Sequence, residues 1–147
     1  MRMITHLVFG AGFAFALLPG PVSVQRLSLA VTSSLVVNLL IDELGHVRRR
    51  GRIARSPLTH SLVSAPAWGA ASGYALWFVE SRFATTGTLA AFVWSGVAVA
   101  CAHLALDSMT ERGVYVLTKR AALAHFRSGN GILNLVFVLI GAALFLV

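Results

Sequence analysis

Long apolar runs separated by short polar or basic stretches dominate the chain. A helix needs about 20 apolar residues, within a range of roughly 17 to 25, to cross a bilayer core of about 30 Å. Five runs reach or approach that length: residues 2–18, 22–41, 58–79, 88–106 and 131–147. The pattern predicts an all-α fold, a polytopic membrane protein with about five transmembrane helices in one domain over residues 1–147.

The composition supports this prediction. Of the 147 residues, 57% are hydrophobic and 12% are charged, whereas soluble domains carry about 25% charged residues. Mean hydropathy is +0.80. These values exclude a soluble enzyme and a disordered chain, and the single cysteine, Cys101, excludes a disulfide scaffold. The first run also has the length of a signal-peptide core, but the turn at residues 19–21 leads directly into the next run, which favours a retained helix.

Basic residues predict how the helices are oriented. The chain has 12 Lys and Arg against 5 Asp and Glu, and most of the basic residues crowd two connections, residues 47–57 and 111–130. By the positive-inside rule both connections face the cytoplasm, which predicts a cytoplasmic N-terminus and a multi-pass protein of the cell (inner or plasma) membrane. We therefore expect the lipid bilayer as a partner and no nucleic acid. The mixed apolar and basic residues of 111–130 fit either a helix or re-entrant segment at the interface or an ordinary basic loop.

Polar residues at the ends of the predicted spans carry the candidate chemistry. Imidazole and carboxylate groups are costly inside a membrane and commonly mark function there. Two pairs, Asp42 with His46 and His103 with Asp107, are spaced four residues apart, which would place each pair on one helix face. The sequence predicts a cluster at the cytoplasmic side whose members are metal ligands or hydrogen-bond partners of ligands: His6, Asp42, His46, His60, His103 and Asp107.

The donor types indicate which metal such a cluster would hold. Imidazole and carboxylate without thiolate suit a divalent metal, zinc first and manganese or iron as alternatives. Six candidates exceed the three protein ligands of most catalytic zinc sites, so one metal with supporting residues and two metals sharing a water are both compatible with the sequence. Glu43 is a candidate catalytic base, although a solvated carboxylate at a helix end explains it slightly better. Haem ranks lower, because two axial histidines would give the aspartates no role.

Four short motifs contain these residues. They are Thr5-His6, the acidic-to-His stretch 42–46, the Arg-to-Ser stretch 55–61 (RSPLTHS) and the stretch 103–113 (HLALDSMTERG). In these motifs the chain resembles the YdjM-like family of LexA-binding, inner-membrane-associated, metal-dependent hydrolases and its archaeal relatives. The resemblance implies hydrolysis at a metal site, with a lipid-borne phosphoester as the first substrate class to test. The stretch 42–46 departs from the family's common Asp-x-Asp-His pattern, which puts the ligand geometry at that position in doubt.

Two arginines and two glycines add to the functional hypotheses. Arg55 and Arg112 are the candidate substrate-binding residues, because guanidinium groups bind anionic headgroups, although such arginines more often only set topology. Gly69 and Gly73 are spaced for close helix packing, within one chain or between two.

The alternative function is a non-enzymatic structural or accessory subunit, in a homo-oligomer or a larger membrane complex. Its His/Asp cluster would then be a static metal site or hydrogen-bond network, and a closed coordination shell would distinguish it from an enzyme. An ion or proton carrier ranks lowest. A carrier needs polar residues deep in the spans, and the sequence has few at those positions: Ser33, Ser34, Asn38 and Ser95.

Overall fold

The computed structural model describes residues 1–49, 52–83, 87–117 and 119–147, and within these ranges it describes the side chains outside 46–49 and 52–54. The described chain is mostly helical. The helices are α1 (Met3–Leu17), α2 (Val24–Gly45), α3 (Ser64–Glu80), α4 (Leu89–Ser108) and α5 (Gly131–Ala143), the last continued by a 3-10 turn, Leu144–Leu146. Each predicted apolar run therefore contains one helix.

Both basic connections contain a small antiparallel hairpin, so the all-α prediction holds only for the apolar runs. Strand β1 (His46–Arg49) pairs with β2 (Arg52–Arg55), and β3 (Val114–Val116) pairs with β4 (Lys119–Ala121). Of the two interpretations of 111–130, the helix at the interface is wrong. The β-branched and aromatic residues of β3 favour a strand, and Tyr115 also makes backbone hydrogen bonds to His60 and Leu62.

Helix α4 is the centre of the bundle and packs against α1, α2 and α3. Its approach to α3 is so close that a Cβ on Gly69 would lie 2.5 Å from the carbonyl oxygen of Gly96, and one on Gly73 would overlap the carbonyl of Phe92. The Gly69 and Gly73 pattern therefore brings two helices of the same chain together.

Helix α5 joins the bundle through α1. Gly12 and Gly141 lie in backbone contact at the crossing of these helices. At the predicted cytoplasmic end, Thr5 Oγ1 donates a 2.6 Å hydrogen bond to Oδ1 of Asn134.

Many large apolar side chains are exposed, and several small polar side chains are buried beside the apolar core. Small polar side chains such as Ser33, Ser34 and Ser95 are buried, whereas Leu35, Leu39 and many other large apolar side chains are exposed. By length and composition, α2 and α4 could each cross a membrane. The apolar segments Met3–Leu17 and Gly131–Leu146 are shorter. The structure thus supports two of the five predicted spans on this criterion.

Candidate metal centre

Two histidines and two aspartates meet where α2 and α4 end and where the chain turns into α3. Nε2 of His60 lies 3.7 Å from Oδ1 of Asp42 and 3.6 Å from Oδ2 of Asp107. Nε2 of His103 lies 3.7 Å and 3.3 Å from the same two oxygens. The side chains of His60, His103 and Asp107 are at most 1% exposed, whereas that of Asp42 is 18% exposed. Of the four, Asp42 is therefore the residue that reaches the surface.

The end of α2, the end of α4 and the turn before α3 each place donor atoms in this cluster for a local structural reason. His103 and Asp107 lie one turn apart on one face of α4, as their spacing predicts. Helix α2 continues past its predicted end at residue 41 to Gly45, so Asp42 lies on its last turn. His60 is not on α3, which begins at Ser64.

The turn that carries His60 is held between α2 and the second hairpin. A Cβ on Gly45 would overlap Oγ1 of Thr59 and lie 2.6 Å from the His60 ring, so only glycine lets the turn approach the end of α2. From the other side, the Tyr115 amide donates to the His60 carbonyl (2.8 Å) and the Leu62 amide donates to the Tyr115 carbonyl (3.0 Å). The backbone thus fixes His60 without an α-helix.

Asn38 determines which nitrogen of His103 carries the hydrogen. Its Nδ2 donates to the carbonyl oxygen of Ser34 at 2.8 Å and to Ser34 Oγ at 3.1 Å. These acceptors require that Oδ1 of Asn38 face His103, where it lies 2.7 Å from Nδ1. Because an amide oxygen can only accept, Nδ1 of His103 holds a hydrogen, and in the neutral ring Nε2 presents a lone pair to the aspartates.

Thr59 fixes His60 in the same way. Its hydroxyl donates its single hydrogen to the carbonyl oxygen of Ile41 at 3.0 Å. At the 2.9 Å contact with Nδ1 of His60, Oγ1 of Thr59 therefore accepts. In the neutral form of this ring, Nε2 of His60 then also presents a lone pair.

Carboxylate oxygens of Asp42 and Asp107 thus lie close to the Nε2 atoms of both histidines. Among the described residues, Nε2 of His103 and Oδ2 of Asp107 are buried without a hydrogen-bond partner. A buried acceptor without a donor costs on the order of 1–3 kcal/mol, and two carboxylates beside two lone pairs repel each other. A cation bound between them removes both costs.

The other oxygen of Asp107 has the opposite surroundings. Oδ1 receives the Arg55 guanidinium, lies 3.2 Å from Nε2 of His6 and accepts a 3.2 Å hydrogen bond from the Met1 amine. Three ligand atoms of His6, His103 and Asp107 lie within 4.8 Å of one another, as do those of Asp42, His60 and His103. The His6 ring stacks on that of His103, with 4.1 Å between ring centroids. His103 therefore belongs to both potential metal groups.

Three further residues were predicted for the site, namely His46, Glu43 and Arg112. The prediction that Asp42 and His46 share a helix face is wrong, because α2 ends at Gly45 and His46 begins β1, where it pairs with Arg55. The side chain of His46 lies outside the described residues. The side chains of Glu43 and Arg112 are exposed.

Arg55 is bonded within the protein. Besides Asp107 it contacts the carbonyl oxygen of Gly113 at 2.9 Å.

Sequence reasoning missed Asn38 as part of the site. It appeared only as one of few polar residues inside a span. A usable signal was present, because Asn38 lies four residues before Asp42 and so shares its helix face.

Comparison with known proteins gives a family of unassigned function. A family model described as Protein of unknown function (DUF1286) matches residues 1–106. The matched segment includes His6, Asp42, His60 and His103 and ends directly before Asp107. No curated protein matches the chain, and no solved structure matches it. The YdjM-like resemblance is not named by these matches and stays a prediction.

Proposed function

The chain belongs to the DUF1286 family, and we propose that it is a membrane-embedded metal-dependent hydrolase with a cytoplasm-facing His/Asp metal site that acts on a lipid-borne phosphoester. The observation that carries the metal site is the approach of two imidazole nitrogens to two carboxylate oxygens, at 3.3–3.7 Å from histidine to aspartate.

The four histidine-to-aspartate spacings match four of the six donor-to-donor edges expected around a tetrahedral divalent metal. Bonds of about 2.0–2.2 Å from zinc to nitrogen or oxygen give tetrahedral edges of about 3.3–3.6 Å. The four histidine-to-aspartate distances lie in or just above that range. Two neutral histidines and two carboxylates also balance the charge of a divalent ion. Zinc is the first choice on these grounds, with manganese and iron as alternatives.

One metal fits better than two. A second ion between His6, His103 and Asp107 would need Oδ1 of Asp107, which already contacts the Arg55 guanidinium. A second cation there would face that positive charge at close range. His6 then orients Asp107 through a hydrogen bond, in the way that partners outside the coordination shell support metal ligands.

The hydrolytic chemistry follows from the unequal exposure of the ligands. A divalent metal lowers the pKa of bound water to about 7 and so makes hydroxide available at neutral pH. His60, His103 and Asp107 are buried and would hold the metal, whereas Asp42 borders the surface, where water and substrate enter. From this place the Asp42 carboxylate can accept the proton of the water. The exposed Glu43 stands beside it on α2 as a candidate base for passing the proton to solvent.

Charge and membrane depth favour an anionic lipid as substrate. Arg112 is exposed and near enough to act electrostatically on Arg55. The exposed leucines and valines of the helices suit a bilayer, with the N-terminus and both hairpins on the cytoplasmic side. In that placement, the site lies at the depth of phospholipid headgroups.

The presence of four possible protein donors supports a second function. If Asp42 binds the metal permanently, four protein donors close the coordination shell and no position is left for water. The chain would then be an accessory subunit whose metal joins the ends of α2 and α4 to the turn before α3.

The first experiment measures metal content by plasma mass spectrometry on the detergent-purified full chain, beside His60→Ala, Asp107→Ala and Ser72→Ala. Ser72 is a matched control, because it is buried on α3 and bonds only locally to Trp68. We expect about one zinc, manganese or iron per chain in the wild type and in Ser72→Ala, and none in the other two variants. A wild type without metal after anaerobic reconstitution would overturn the proposal.

A second experiment separates the enzyme from the accessory subunit. Metal-loaded protein is incubated with vesicles of anionic glycerophospholipids, and released phosphate and headgroup are measured. Release of phosphate or headgroup by the wild type, with no release by metal-loaded Asp42→Asn, supports the hydrolase function. Full metal occupancy without release above the Asp107→Ala background supports the closed site.

A further inference from the structure

Asn38 lies at the meeting point of α1, α2 and α4, one turn of α2 above Asp42. We infer that Asn38 is a positioning residue, which fixes His103 in the one tautomer able to bind a metal through Nε2. The inference rests on the proposed metal site but concerns a residue outside its coordination shell. Asn38 is completely buried.

The hydrogen bonds around Asn38 form a chain in which every hydrogen can be assigned. Ser34 Oγ donates to the carbonyl oxygen of Leu7 on α1 at 2.8 Å. With its own hydrogen used, Ser34 Oγ accepts from Nδ2 of Asn38 at 3.1 Å. Oδ1 of Asn38 then accepts from Nδ1 of His103 on α4 at 2.7 Å. The chain runs in one direction, from the imidazole to a backbone carbonyl.

Reversing this chain would leave buried groups without partners. In the neutral ring, a hydrogen on Nε2 of His103 would require Nδ1 to accept, and the Asn38 amide would have to rotate. Its Nδ2 would then leave the carbonyl oxygen of Ser34, now 2.8 Å away, and its oxygen would face that carbonyl instead. Unpaired buried polar groups of this kind are costly. Between the two neutral tautomers, the Asn38 network therefore favours the metal-binding one.

This arrangement does more than hold helices together. Helix packing at this point would be served by any side chain of similar volume. The orientation of the Asn38 amide matters only because the opposite nitrogen of His103 faces Asp42 and Asp107. Residues that hold a metal-bound histidine in this way typically account for 10–100-fold in metal affinity.

The first test reads the tautomer directly in the metal-free protein. Nitrogen-15 NMR of histidine-labelled protein, assigned with His103→Gln, should show His103 protonated at Nδ1 and not at Nε2. In Asn38→Leu we expect a mixture of tautomers. Asn38→Asp keeps an acceptor at the same place and should retain the Nδ1 form. A His103 tautomer that is unchanged in Asn38→Leu would overturn the inference, whatever the metal content.

The second test measures the consequence for binding. Cobalt(II) is titrated into the purified chain and followed by its visible absorption. We expect Asn38→Leu to bind about 10–100-fold more weakly than the wild type, with an altered spectrum, and Asn38→Asp to stay within a fewfold of it. Ser72→Ala is the matched control, because Ser72 is a buried serine on α3 that donates to the carbonyl oxygen of Trp68.

The outcomes separate this inference from the proposed function. No cobalt binding by the wild type would contradict the metal site itself. Wild-type affinity and spectrum in a folded Asn38→Leu variant would contradict only the role of Asn38.

Discussion

The Arg55 guanidinium contacts Oδ1 of Asp107 and leaves Oδ2 of the same carboxylate facing His60 and His103. The two oxygens of one buried side chain thus have opposite surroundings, donors on one side and lone pairs on the other. Because Arg55 ends β2 and Asp107 lies in the last turn of α4, the ion pair also attaches the first hairpin to the bundle.

Replacing Arg55 with Gln should destabilise the fold strongly. The pair is nearly buried, with side chains 7% and 1% exposed, and breaking a buried pair by removing one partner costs about 3–5 kcal/mol. Thermal unfolding in detergent measures the effect. Arg112→Gln is the control, because Arg112 is exposed and should change stability by no more than about 0.5 kcal/mol. Equal shifts for both variants would contradict the structural role of the ion pair.

Gly45→Ala should reduce metal binding while α2 stays helical. The added methyl group would overlap Thr59 Oγ1 and displace the His60 ring, although alanine is the better helix former. We expect metal content to fall well below one per chain. Gly129→Ala, where a Cβ meets no atom within 4 Å, should keep the wild-type content. A fully loaded Gly45→Ala protein would show that the turn can move without cost.

Thr59→Val tests the hydrogen bond that orients His60. Valine has nearly the same shape but cannot accept from Nδ1 or donate to Ile41. We expect an affinity for zinc about 10-fold or more weaker, and Thr59→Ser should restore most of it. Competition with a chromophoric chelator gives the dissociation constants. Equal affinities for the Val and Ser variants would exclude the hydroxyl from the site.

Zinc should stabilise the folded chain, and a chelator should reverse this. Free zinc at about 100 times its dissociation constant adds about 2.7 kcal/mol to the free energy of unfolding when only the folded state binds. The midpoint of thermal unfolding should rise in the wild type and in Ser72→Ala. It should not move in His60→Ala, and a rise in that variant would place the binding elsewhere.

The helices were predictable because hydropathy over a long run depends only on local sequence, but their ends were not. Asp42 and Glu43 mark the end of the apolar run, yet α2 continues to Gly45 because the turn at His60 packs onto that end. Residues from Leu58 on are apolar enough for a helix, but backbone bonds to Tyr115 hold them as a turn. Hydropathy also carries no signal for the hairpins.

The candidate site was predicted in its residues and only partly in its geometry. Polar groups at one depth predicted that His6, His60, His103 and Asp107 would converge, and the structure brings them together. The prediction that Asp42 and His46 share a helix face was wrong, because a spacing of four residues has that effect only where the helix continues through both residues. Asn38 could not be assigned a role without the fold, because its partner His103 is 65 residues away.

The ring of facing acceptors has a consequence for how the protein is made. If the proposed metal binds here, the ends of α2 and α4 and the turn at His60 bring two carboxylates together as the chain folds, so their last approach is opposed until the cation binds. Folding in the cell would then depend on metal supply. In a metal-starved cell, newly made copies would stay open at this end of the bundle, and their abundance would follow the availability of the ion.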